Sequence, residues 1–108
     1  MAKYLYIYHG GSKPEPEEFM TVMAAWMGWF QGMGDAVVDG GNPVGKSYTV
    51  NSDGSVANDG GSNPAGGYSL VEAESLEAAL EMAKGCPILQ AGGSVEVAEA
   101  VVLPCPTS

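Results

Sequence analysis

The chain has 108 residues, 45% of them apolar, and sets thirteen Asp plus Glu against four Lys plus Arg for a net charge of −9. That length suits one domain around one core. The charge weighs against nucleic acid and anionic membrane as partners, since phosphate binding needs a basic patch, and its plain meaning is solubility.

The opening MAKYLYIYHGG is too short and too interrupted for a signal peptide or a spanning helix. Residues 3–8 read instead as a strand, with Tyr4, Tyr6 and Tyr8 on one face and Leu5 and Ile7 on the other. Gly10, Gly11, Ser12 and Pro14 make a turn. Residues 15–33 follow as the long helix around which the rest is organised. Pro16 suits its first position, and Glu17 and Glu18 sit where the helix dipole favours anions. Phe19, Val22, Met23, Trp26, Trp29, Phe30 and Met33 recur at the spacing of one helix face, and Met20, Ala24 and Met27 widen it. So broad an apolar surface predicts cover from more than one neighbour. Gly32 and Gly34 stop the helix.

Residues 36–38 form a short second strand, ended by the turn Asp39-Gly-Gly-Asn-Pro43. Residues 46–50 are extended, and Asn51-Ser-Asp-Gly54 turns them back through Val56 as a hairpin. A polar loop over 58–67 leads to the third main strand, 67–73. Ser75 caps a helix over 76–84 whose buried stripe is Leu76, Ala79, Leu80 and Ala83. Gly85 and Pro87 end it, and the last strand runs over 94–103. The domain thus spans 1–103, with 104–108 as a tail.

Strand, helix, strand with hairpin, strand, helix, strand is the order of an α+β, ferredoxin-like split β-α-β sandwich. Its antiparallel four-stranded sheet carries both helices on one face. The other face is expected to hold the tyrosine stripe with valines and Tyr68, too apolar to leave in water. A homodimer with sheets stacked face to face would cover it. The alternative cover is the tail or the glycine-rich hairpin folding over that face.

Three blocks resemble the YCII-related family of small bacterial proteins, also called the DGPF family. They are KYLYIYHGG, GDAVVDGGNP, and GGYSLVEAESLEAALEMAKGCP followed by GGSVEVAEAVVL. The likeness spans nearly the whole chain. It implies a ferredoxin-like fold and a homodimer of the dimeric α+β barrel type, without a firmly established reaction. Some members carry a histidine on the first helix, proposed to pair with an aspartate. The matching position here holds Trp26, and the family's DGPF stretch reads Asp59-Gly-Gly-Ser62.

His9 is the only histidine and the natural candidate for acid–base work. If the strand ends meet at one rim, His9, Asp35, Asp39 and Glu72 gather there, with His9 and Asp39 as the catalytic candidates. Tyr8, Trp26 and Asn42 join Asp35 and Glu72 as ligand-binding candidates. Trp26, Trp29 and Phe30 beside Met23, Met27 and Met33 serve either as core or as the wall of an apolar pocket. Residues 40–47 match the spacing G-x-x-x-x-G-K-S, but Ser47 opens a strand and Pro43 removes an amide, so phosphate binding is the remote reading. Neither the single histidine nor the two cysteines form a metal set, and no cofactor is expected. Cys86 and Cys105 read as a reduced, cytoplasmic pair. Two functions remain open: a homodimer that binds or transforms a small organic molecule at the sheet rim, or a non-catalytic interaction and regulatory module built on the dimer.

Overall fold

In the computed structural model, residues 1–103 are described; the tail, with Cys105, lies outside them. Strand β1 (Ala2–His9) leads through a 3-10 turn to helix α1 (Phe19–Met33). Strand β2 (Val37–Asp39), the hairpin strands β3 (Thr49–Val50) and β4 (Val56–Ala57), and β5 (Ala65–Ala73) follow. Helix α2 (Leu76–Ala83) and strand β6 (Ser94–Glu99) complete the order. The main sheet is antiparallel throughout, in the order β2-β5-β1-β6. The chain is therefore α+β, with a four-stranded antiparallel sheet and two helices.

Both helices lie on one face, because the Tyr6 side chain reaches each of them. Its hydroxyl donates to the Ala79 carbonyl in α2, and its ring stacks on Trp29 of α1 with centroids 6.0 Å apart. Trp29 closes the triangle by donating from Nε1 to the Met82 carbonyl at 2.9 Å.

The tyrosine stripe is therefore the core, not the uncovered face expected for it. Tyr4, Tyr6 and Tyr8 are 3%, 0% and 6% exposed. Alternation says which residues share a face but not which face the helices take. Tyrosine fits the covered side because its ring fills the wide gap while its hydroxyl finds a buried partner. In register with it stand Val71 of β5 and Val95 and Val97 of β6. The opposite face carries Leu5, Ile7 and Leu70, each half-buried, and Tyr68, 37% exposed.

The helices also bury less than their patterns predict. In α1, Val22, Trp26, Trp29, Phe30 and Met33 are half-buried, whereas Phe19 is 52% exposed and Met20, Met23 and Met27 stand out beside it. In α2, Ala79 and Ala83 are buried but Leu76 and Leu80 are exposed. Ser75 caps α2 as expected, its Oγ accepting from the Ala78 amide at 3.1 Å. The last strand ends at Glu99 rather than 103: Glu99 pairs with Tyr4, and one further bond, from the Ala100 amide to the Lys3 carbonyl at 2.8 Å, follows it. The turn over 51–54 closes as read, with the Gly54 amide on the Asn51 carbonyl at 2.9 Å.

Candidate functional site

At the end of the sheet where β1 stops and β5 starts, a cleft of about 340 Å³ opens on the helix side. One wall is Tyr8 of β1 with Met23, Trp26 and Phe30 of α1. The Trp26 ring meets Tyr8 edge-on, centroids 5.0 Å apart, and tilts against Phe30 at 6.2 Å. The facing rim is backbone-rich: residues 40–43 lie against residues 66–68, and Ile88 closes one end.

The rim is tied in place strand-like. The Val44 amide donates to the Gly66 carbonyl at 3.1 Å, and the Tyr68 amide to the Asn42 carbonyl at 3.2 Å. Asp39 accepts from the Gly41 amide at 2.8 Å. Gly41 has φ +71°, and a Cβ there would lie 1.7 Å from the Tyr68 carbonyl oxygen. Only glycine satisfies both demands. Under the rim runs a chain of hydroxyls: Tyr8 donates to Ser69 Oγ at 2.7 Å, and Ser69 donates to the Gly40 carbonyl at 2.7 Å. Burial pushes the Tyr8 phenol well above its ordinary value, despite the counteracting Ser69 bond, so it stays a neutral donor.

Tyr8, Trp26 and Asn42 line one cleft, and Asp39 supports its rim. The gathering of His9, Asp35, Asp39 and Glu72 does not occur. In an antiparallel sheet the end of β1 meets the beginnings of β5 and β6, so His9 stands opposite Ala65 and Ser94. Glu72 is opposite Lys3 at the far end of β1, and Asp35 is exposed in the 3-10 turn before β2. His9 falls on the sheet face away from Tyr8 and is 7% exposed. Its carboxylate partner is Glu96, with Nε2 to Oε1 at 2.8 Å, and Nδ1 lies 3.2 Å from the Pro64 carbonyl oxygen. Both neighbours are acceptors, so both ring nitrogens must carry protons to satisfy them. The Glu96 hydrogen bond, opposed by burial, raises the His9 pKa above its usual 6.5.

Sequence reasoning missed Glu96, Ser69, Gly41 and Tyr68. Glu96 was within reach of it: it alternates outward between Val95 and Val97 and sits diagonally across from His9, two pairs beyond Ser94. The others depend on register, which the sequence did not reveal.

Residues 40–47 do not build a phosphate cradle. No helix follows Ser47, strand β3 begins at Thr49, and Lys46 lies over the Tyr48 ring at 5.2 Å. A second hollow, about 450 Å³, lies between α2 and β6 and is lined by Leu80, Leu89, Val95 and Val97 without an aromatic ring. Among the described residues no three His, Cys, Asp or Glu side chains group as a metal ion would require. No helix among them is long and apolar enough to cross a membrane. Cys86 is a buried free thiol, raised by burial to about 11.

Comparison with curated proteins finds no match. The YCII-related domain model matches residues 4–102, which include most of β1, both helices, the rim and β6. The chain therefore belongs to the family of YCII-related domains.

Proposed function

We propose that this protein holds a small organic molecule in the cleft between α1 and the glycine-rich rim. One observation carries the reading. The Tyr8–Ser69–Gly40 hydrogen-bond chain, together with Gly41, keeps a rigid backbone rim facing a wall of aromatic rings. Ligand sites are mostly apolar, preformed concavities with a few placed polar groups, and about 300 Å³ is enough for a small molecule. Thermal unfolding across a metabolite panel tests it. A ligand bound only by the native state at 100 times its Kd adds about 2.7 kcal/mol to stability. The effect should disappear in Trp26→Leu.

Three further elements belong to the same reading. The strand order and the shared helix face support a ferredoxin-like split β-α-β sandwich. The uncovered Leu5, Ile7, Leu70 and Tyr68 support a second copy stacked there, as a dimeric α+β barrel. The free Cys86 thiol supports a cytoplasmic setting.

Asp39 takes part in binding by shaping the rim. Transformation of the ligand would require His9 to leave Glu96 and Pro64 and act from the opposite face. That engaged position favours the second reading, a non-catalytic interaction and regulatory module built on the dimer, over chemistry at His9. Turnover lost in His9→Ala with binding retained would restore the catalytic role.

A further inference from the structure

The chemistry of the cleft narrows the class of molecule it takes, given that it is a ligand site at all. We propose that it binds a small organic cation bearing an alkylated ammonium group. Tyr8, Trp26 and Phe30 form one continuous aromatic wall, and Met23 adds a polarizable thioether. Ring faces carry negative charge and attract a cation within about 6 Å of the centroid. No residue lining the cleft is charged, and the chain as a whole is at −9. An anion would enter against that field without a counter-charge.

Several donors at the cleft are moreover already spent. The Gly41 amide is taken by Asp39, the Val44 amide by Gly66 and the Tyr68 amide by Asn42. The Tyr8 hydroxyl is spent on Ser69. A bare ammonium carries three protons that need acceptors, and the ring wall supplies none. An alkylated ammonium makes no such demand and presents a spread charge to the rings.

Three probes of one shape separate the possibilities: choline, its neutral carbon analogue 3,3-dimethyl-1-butanol, and the anion 3,3-dimethylbutanoate. Binding is read on the full chain by calorimetry and by the indole N–H resonance of Trp26, assigned through its loss in Trp26→Leu. Choline should bind about five- to tenfold tighter than the alcohol, the scale of a cation–π contact. Trp26→Leu and Phe30→Leu should each remove most of that preference while retaining a cooperative unfolding transition. Equal affinity for choline and the alcohol, or tightest binding of the carboxylate, overturns the cation assignment and leaves the cleft as a ligand site. A preference kept in both variants places the cation away from these rings and likewise overturns it. If none of the three moves the Trp26 resonance at millimolar concentration, the cation assignment fails; a metabolite panel that also gives no thermal shift removes the ligand site with it.

Discussion

At Gly41 the backbone turns through a positive φ while passing so close to Tyr68 that a methyl group has no room. Gly41→Ala should therefore destabilise the fold by at least the ~1–2 kcal/mol of a left-handed non-glycine residue. An unchanged urea midpoint would contradict this. Tyr8→Phe leaves the ring but removes the donor to Ser69, and should cost about 1–2 kcal/mol. His9 adds a pH dependence whose sign is determined. Its pKa is raised in the folded state by Glu96, so the contact contributes stability below pH 6.5 and loses it as pH rises through the folded value. Glu96 is well exposed, so the effect is modest. A urea series from pH 6 to 9 should show the decline in the parent chain and not in Glu96→Gln. A His9 resonance titrating at or below 6.5 would contradict it. Of these residues, Tyr8, Trp26 and Asn42 were legible in the sequence because a strand end, an aromatic helix face and a glycine turn each announce themselves locally. Gly41 and Ser69 were not, because their roles exist only across strands.

The elements show the same division. Period-two alternation revealed β1 and β5, and Ser75 with Gly85 marked the limits of α2, since those signals are local. Removing the cap in Ser75→Ala should cost about 1 kcal/mol, measured by urea unfolding; no change would mean that the Ala78 amide finds another acceptor. What alternation left undetermined was orientation. β1 has two apolar faces, and the contacts of Tyr6 with Ala79 and Trp29 decide which one the helices cover. Strand ends were equally hidden, as β6 leaves its pairing with β1 at Glu99 although apolar residues continue beyond it. Glu72 lies away from His9, whose carboxylate partner is Glu96, for a related reason. Neighbouring strands run in opposite directions, so the end of one lies by the start of the next.

Across the whole molecule, two of the apolar surfaces that remain among the described residues bear on function. The sheet face with Leu5, Ile7, Leu70 and Tyr68 is where a second copy would stack. Sedimentation at micromolar concentration should show a dimer for the parent chain and a folded monomer for Ile7→Lys, which places a charge in that interface. A monomeric parent chain would remove the dimer and the barrel with it. The cleft is the other surface, and it carries the account of what the protein does. Its most direct test is thermal unfolding of the parent chain and Trp26→Leu side by side against neutral, cationic and anionic small molecules. The account predicts at least one ligand that raises the parent's Tm and leaves the variant's unmoved. A panel that shifts neither, or shifts both equally, would contradict it.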